Sequence, residues 1–177
     1  KAPTDEQVLA SVIENNKNKP VKIRSTNGVL VNGVVDVNVR FSRCCSPVPG
    51  DEIVGFITRG RGISIHRTDC VNVIALPESE KSRLVDVEWQ QESFHSNEKF
   101  MAEIKIFCNN RIGIFADISK IFTEREIDIA SMSSKTSKQG TATINMSFEV
   151  GGVDALQQLI NRLMAVNRVI DIERSNG

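Results

Sequence analysis

The fold is decided by residues 100–173, which read FMAEIKIFCNNRIGIFADISKIFTEREIDIASMSSKTSKQGTATINMSFEVGGVDALQQLINRLMAVNRVIDIE. Their hydrophobic periodicity predicts a strand at 101–108, a helix at 113–125, strands at 127–134 and 141–150, a helix at 153–166 and a strand at 169–173. The second helix repeats its apolar residues at spacings of three and four, as a face packed on a sheet requires: Val153, Leu156, Leu159, Ile160, Leu163 and Met164. The order β-α-β-β-α-β predicts a ferredoxin-like domain at residues 98–177.

The preceding part of the chain has a different pattern. Short β-rich runs bounded by Gly, Asn or Pro predict strands at 21–25, 29–31, 34–41, 52–58, 62–66 and 84–89. We interpret residues 21–97 as a small β-rich module that ends in an acidic linker, and residues 1–20 as a helical lead-in from a preceding domain. The predicted fold class is therefore α+β. The sequence begins at Lys1 rather than Met, so we expect it to be a piece of a longer chain.

Composition and motifs restrict the possible functions. Of the 177 residues, 40% are hydrophobic and 25% are charged, as in ordinary globular proteins. No apolar run approaches the roughly 20 residues that span a bilayer, and no signal peptide is recognisable, so we predict a cytoplasmic protein with no membrane partner. The sequence contains no Walker loop and no G-x-S-x-G motif, and we predict no catalytic residues.

Three thiols and one imidazole form the strongest local signal: Cys44, Cys45, His66 and Cys70. Such a set suits a tetrahedral zinc site. If residues 66–70 formed a helical turn, His66 and Cys70 would share one face, whereas Cys44 and Cys45 could share an ion only if the chain bends there. The alternatives are small buried hydrophobes or redox-active thiols. Cys108, on the first strand of the second domain, is expected to lie in a core.

Basic residues are concentrated between residues 21 and 75, where seven bases face four acids. Arg59 and Arg61 lie in a glycine-containing turn, and Arg43 and Arg67 flank the candidate ligands. These four guanidinium groups could meet the phosphates of an RNA. The alternative is a solvated turn whose arginines serve solubility.

The first loop of the second domain offers a weaker candidate site, formed by Asn110, Arg111, Ile112 and Gly113. It leads into a helix N-terminus, where unpaired N–H groups attract a carboxylate or a phosphate. An amino acid could bind there. The alternative is a tight strand-to-helix turn.

Residues 40–70, which read RFSRCCSPVPGDEIVGFITRGRGISIHRTDC, resemble the conserved-cysteine or zinc-finger domain of long RelA/SpoT homologues. The β-α-β-β-α-β segment, with Asn110-Arg111-Ile112-Gly113-Ile114 in its first loop, looks like the ACT domain that ends those proteins. By position, the candidate cysteines and histidine match the zinc ligands proposed for the family. The loop matches only in general form, because Asn110 stands where many metabolic ACT domains carry Asp.

The resemblance implies a parent protein with hydrolase and synthetase domains for guanosine tetra- and pentaphosphate, (p)ppGpp, in the stringent response. It implies that this C-terminal region docks on large-subunit ribosomal RNA, restrains the catalytic half and is inactive alone. A homodimer through the ACT domain, and an alternative role as an allosteric sensor of a branched-chain amino acid, follow from the properties of other ACT domains.

Overall fold

The computed structural model describes residues 28–31, 38–94 and 97–176. The helix predicted at 1–20, the strand predicted at 21–25 and the first half of the strand predicted at 34–41 lie outside these residues. The expected domain boundary near residue 97 falls after the last element of the first unit and before the first strand of the second unit.

The first unit contains two small sheets. Its elements are β1 (Val29–Val31), β2 (Val39–Phe41), β3 (Ile53–Ile57), β4 (Ile63–Arg67), α1 (Val71–Ile74), α2 (Glu78–Lys81), β5 (Leu84–Val85) and β6 (Val87–Trp89), followed by a single 3-10 turn. One sheet has the order β2-β4-β3-β5, and β1 pairs with β6 in the other. Among the described residues, the core of this unit is small, with six buried side chains: Val29, Val31, Val39, Ile63, Ile65 and Val87.

The single strand predicted at 84–89 is divided between the two sheets. Its first half, β5, pairs with β3, and its second half, β6, pairs with β1. The segment that we interpreted as an acidic linker therefore supplies edge strands to both sheets of the module. An edge strand tolerates the charged residues of this segment because one of its sides faces solvent.

The second unit has the predicted element order. Its elements are β7 (Phe100–Asn109), α3 (Ile114–Glu124), β8 (Ile129–Thr136), β9 (Thr141–Val150), α4 (Val153–Met164) and β10 (Val169–Arg174). The sheet order is β10-β7-β9-β8, and every neighbouring pair is antiparallel. Buried and exposed residues alternate along β7 and β9, because one sheet face packs on the two helices and the other does not. The predicted ferredoxin-like fold is confirmed.

The two units share apolar contacts. Val48 of the first unit is fully buried within the core of the second. Phe41 stacks on Trp89 with ring centroids 5.5 Å apart, and Phe100 meets both rings edge-on at 5.6 Å. Aromatic pairs in these arrangements add about 0.5–1.5 kcal/mol each to the energy of burial. The two units therefore pack through one buried aliphatic side chain and a cluster of three aromatic rings.

The turn between β3 and β4 has a backbone that requires glycine. Gly60 and Gly62 both have positive φ angles, +81° and +77°. A Cβ at Gly62 would also overlap the carbonyl oxygen of Asn38, whereas a Cβ at Gly60 would meet nothing within 4 Å. The two glycines have the same backbone requirement and differ in the space around them.

We expect Gly60→Ala to lower the free energy of unfolding by about 1 kcal/mol through its left-handed backbone alone. Gly62→Ala should lower it by about 3 kcal/mol or more, because the backbone that accepts the new methyl group must also shift. Chemical denaturation of the two variants and the parent chain measures both losses. Equal losses would contradict the close approach of Asn38.

Candidate metal centre

Cys44 and Cys45 lie in a tight turn that follows β2. The amide of Ser46 donates to the carbonyl of Ser42 over 3.0 Å, which closes one helical turn around the two cysteines. Ser46 itself takes a left-handed conformation with φ of +46°. The bend that the adjacent cysteines require is therefore present, and it lets both sulfurs face the same side.

His66 and Cys70 reach the same place by a different route from the predicted one. The helical turn considered at 66–70 does not form, because β4 continues to Arg67 and α1 begins only at Val71. A tight turn between them, closed by the amide of Cys70 on the carbonyl of Arg67 at 3.1 Å, returns Cys70 towards His66. Backbone pairing of β4 with β3 competes with local helix formation here and extends the strand.

The four ligand atoms converge. The sulfur of Cys44 lies 4.0 Å from that of Cys45, 3.6 Å from that of Cys70 and 3.4 Å from Nδ1 of His66. All four atoms lie within 4.8 Å of one another. Zinc bonds of about 2.3 Å to sulfur and 2.0–2.1 Å to nitrogen in a tetrahedron place ligand atoms roughly 3.5–3.8 Å apart. The donor set and its spacing therefore fit a metal ion.

The ring of His66 is oriented by two hydroxyl groups. Its Nε2 lies 2.9 Å from Oγ of Ser42 and 3.3 Å from Oγ of Ser64. An Nε2–H that donates to Ser42 leaves the lone pair of Nδ1 facing the three sulfurs, as in metal sites where a second partner fixes the tautomer. Burial lowers the pKa of His66 below its ordinary value, so its imidazole is neutral at pH 7.

Cys45, like Cys70, is buried. Burial raises the pKa of its thiol to about 12; donation from the amide of Arg67, with N and Sγ 3.3 Å apart, lowers it in part, and the neighbouring Cys44 and Cys70 raise it further. Without a metal ion this thiol is protonated at neutral pH, and a metal that binds it would displace its proton. Cys108 is separate from the cluster, buried in the core of the second unit, as predicted.

The candidate RNA-contacting arginines fall into three environments. Arg59 and Arg61 are exposed in the turn between β3 and β4, and Arg59 makes only a 3.6 Å ion pair with Glu80. Arg43 is exposed beside Cys44. Arg67 is 7% exposed, and its guanidinium donates two hydrogen bonds to Asp69. Arg67 therefore faces the interior of the protein, contrary to our expectation of a side chain open to RNA.

The loop before α3 is held by backbone and side-chain contacts. The amide of Asn110 donates to the carbonyl of Gly140 at 2.7 Å, and Arg111 pairs with Asp117 at 2.7 Å. Ile112 is fully exposed, and Gly113 begins the helix with φ of +82° and no side-chain cap. The loop thus presents an apolar side chain beside an uncapped helix N-terminus.

Sequence reasoning missed the residues that surround the ligands. Ser64 could have been found, because it lies two positions before His66 and so shares its strand face. Ser42 and the inward role of Arg67 left no such signal, because both depend on how β2 and β4 come together.

Among the described residues, no helix is long and apolar enough to cross a membrane.

Comparisons with known proteins agree with this architecture. Residues 29–90 match the family described as the RelA/SpoT RIS domain, and residues 96–174 match the ACT domain family. GTP pyrophosphokinase from Escherichia coli K12 is 35% identical over 99% of this chain and 24% of its own length. GTP pyrophosphokinase from Streptomyces coelicolor is 37% identical over 83% of this chain and 17% of its own length.

A solved structure, the ACT domain from GTP pyrophosphokinase of Chlorobium tepidum, is 26% identical and covers 44% of this chain and 99% of its own, with a TM-score of 0.40. The chain thus spans about a quarter or less of the length of the curated relatives described above.

A thiol–imidazole module packed on a ferredoxin-like ACT domain defines a chain with two regulatory domains. The matches to both domains, and relatives that align with nearly the whole chain, identify the family. These are the RIS and ACT regulatory domains of a RelA/SpoT-family protein.

We expect the chain to bind one divalent metal ion and to release protons as it does so. Because the thiols must ionise while His66 is already neutral, affinity should fall as the pH is lowered from 8 to 6. Calorimetry in two buffers of different ionisation enthalpy measures the proton release. Cys44→Ser should abolish binding, and Cys108→Ser, the matched control, should retain it. Binding without proton release would contradict thiolate ligation.

Proposed function

We propose that this chain is a ribosome-binding regulatory region that controls the catalytic half of a (p)ppGpp synthetase/hydrolase in the cytoplasm. Curated relatives named GTP pyrophosphokinase are at least four times as long as the part they share with this chain. The remaining length of such a parent would carry the catalytic domains. The RIS module would contact large-subunit ribosomal RNA, and its packing against the ACT domain would carry the signal onward.

The metal in this proposal is zinc with a structural role. Three thiols and one imidazole are a typical structural zinc set, with no fourth position left open for a substrate. When bound, zinc would cross-link the turn after β2, the end of β4 and the start of α1. A module with six buried core side chains gains from such a cross-link, because metal-binding energy then contributes to folding.

The observation that supports RNA binding is the exposed pair of arginines on a rigid hairpin. Arg59, whose side chain is 79% exposed, and Arg61 extend from a five-residue turn between paired strands. β4 connects this turn to His66, about 13 Å away at the usual strand rise. The cluster therefore fixes one end of a hairpin whose other end presents two positive charges, and Arg43 adds a third charge beside the cluster itself.

We expect Arg59→Gln combined with Arg61→Gln to weaken binding to ribosomes and to reduce its salt dependence. Each lost phosphate contact should lower the slope of log affinity against log salt by about 0.7–0.9. Filter binding or sedimentation with purified ribosomes at several salt concentrations measures the slope.

The matched control is Arg125→Gln combined with Arg162→Gln, which removes one partly exposed and one exposed positive charge from the ACT domain. It should leave the slope unchanged. An equal loss in both double variants would mean that net charge, rather than the hairpin, drives binding, and binding with no salt dependence would contradict phosphate contact altogether.

A second candidate function is sensing of a branched-chain amino acid by an ACT dimer. The specific observation is the uncapped N-terminus of the 11-residue helix α3 beside the fully exposed Ile112. Backbone N–H groups there suit a carboxylate, and an apolar side chain suits an aliphatic ligand. The sheet ends in β8 and β10, whose outer edges could pair with a second copy.

If this second function holds, valine, isoleucine or leucine should produce heat in calorimetry and raise the melting temperature. Ligand at 100 times its dissociation constant stabilises the folded state by about 2.7 kcal/mol. Ile112→Ala should weaken the response, and sedimentation should show a ligand-dependent dimer. The absence of both heat and a melting shift would reject amino-acid sensing.

A further inference from the structure

The residues that follow the main part of β10 contact the loops that carry the metal ligands. Arg174 donates to both carboxylate oxygens of Asp51, at 2.7 and 2.9 Å, and to the carbonyl of Ser46 at 3.2 Å. Oγ of Ser175 donates to the carbonyl of Cys44 at 3.1 Å. We call residues 174–176 the tail segment. It belongs to the ACT domain in sequence but binds the RIS module.

Arg67 also links the tail segment to the cluster of candidate metal ligands. Its Nη1 donates to the carbonyl of Cys45 at 3.2 Å and to the carbonyl of Ser175 at 3.1 Å. Its Nε and Nη2 donate to Asp69, at 2.9 and 2.6 Å, and this pairing holds the pKa of Asp69 below its usual range. The buried guanidinium of Arg67 therefore contacts the candidate ligand Cys45 and Ser175 of the tail segment. It also contacts Asp69, which precedes the candidate ligand Cys70.

The backbone at, or next to, each of the three cysteine ligands is held by this arrangement. The carbonyl of Cys44 is bound by Ser175, and the carbonyl of Cys45 is bound by Arg67. The amide of Val71, the residue after Cys70, donates to the carbonyl of Asn176 at 2.9 Å. A sulfur atom can stay in place only if the backbone that carries it does. The tail segment therefore acts directly on the backbone of Cys44, through Arg67 on that of Cys45, and through Val71 on the residue next to Cys70.

The contact between Arg174 and Asp51 is well shielded from water. The two side chains are 19% and 10% exposed. Asp51 also accepts a hydrogen bond from the amide of Val48 at 2.8 Å, which shapes the loop between Cys45 and β3. Removing one partner of a buried ion pair leaves the other charge uncompensated, so loss of Arg174 should disturb this loop.

We propose that the ACT domain, through the tail segment, supplies an outer layer of the metal centre, so that metal binding and docking of the two domains are coupled. The proposal rests on the metal site of the proposed function. Coupling is reciprocal: if docking tightens metal binding by some factor, metal binding favours docking by the same factor. Loss or gain of the metal would then reach the ACT domain without any direct contact between the ion and that domain.

The first test measures zinc affinity by competition with a chromophoric chelator. The variants are a chain shortened to end at Glu173, Arg174→Gln and the milder Ser175→Ala, which removes one hydrogen bond. Loss of outer-layer partners weakens metal sites by about 10–100-fold, and we expect this for the first two variants. Ser175→Ala should weaken binding about threefold, the effect of one net hydrogen bond of about 0.65 kcal/mol. Arg162→Gln, an exposed arginine elsewhere in the ACT domain, is the matched control and should bind like the parent.

The second test measures amide hydrogen exchange in the parent chain with and without zinc. The amide of Val153 donates to the carbonyl of Pro49 at 2.8 Å across the domain interface, away from the ligands. Removal of zinc should speed exchange at Val153 and at Val71, while amides in the centre of β9 stay protected. In the zinc-affinity test, Ser175→Ala still measures the effect of the tail segment if the shortened chain fails to fold.

The outcomes separate the proposal from the metal site itself. If the parent binds zinc and the tail variants bind it equally well, the tail segment only holds the domains together and the coupling is rejected. Unchanged exchange at Val153 on zinc removal would reject it as well. If the parent binds no zinc, the metal site and the coupling both fail. Weaker zinc binding in the tail variants together with faster exchange at Val153 in the metal-free parent supports the coupling.

Discussion

Three separate parts of the RIS module must bring their ligand atoms within 4.8 Å of one another, and the rest of the module is arranged around that requirement. The turn after β2, the end of β4 and the start of α1 meet there. In the part of the module that the structure describes, six buried aliphatic side chains form the remaining core, which is little for a unit built from strands of two to five residues. The orientation of the basic hairpin and the surface offered to the ACT domain both follow from where these three segments meet.

The ACT domain could be predicted almost entirely from sequence, because its elements are long and each has one buried face. The helix predicted at 153–166 is Val153–Met164, and the strand predicted at 141–150 matches its observed bounds. The RIS module could be predicted only as β-rich. Its pairings join β1 with β6 and run β2 parallel to β4, and such distant partners leave no local pattern in a strand of three residues.

The candidate metal ligands could be predicted from residue type, since three thiols and an imidazole in a short span are uncommon without a shared role. Their geometry could not be predicted, because it depends on the left-handed Ser46 and on β4 running one residue further than expected. Arg67 shows the same limit. A count of charges treats it like Arg59, but its burial depends on Asp69 nearby and on Ser175, 108 residues away.

The spacing of these contacts along the chain has a consequence for biosynthesis. The ligands are close in sequence, with Cys44 and Cys70 only 26 residues apart, whereas Ser175 meets Cys44 across 131 residues. At about 5–20 residues per second, the ribosome finishes Ser175 roughly 5–20 s after Arg67. The four candidate ligands of the nascent RIS module can therefore come together before the tail segment that later covers them exists. A metal ion bound at that stage would be enclosed only later, when the tail segment packs against the loops that carry the ligands.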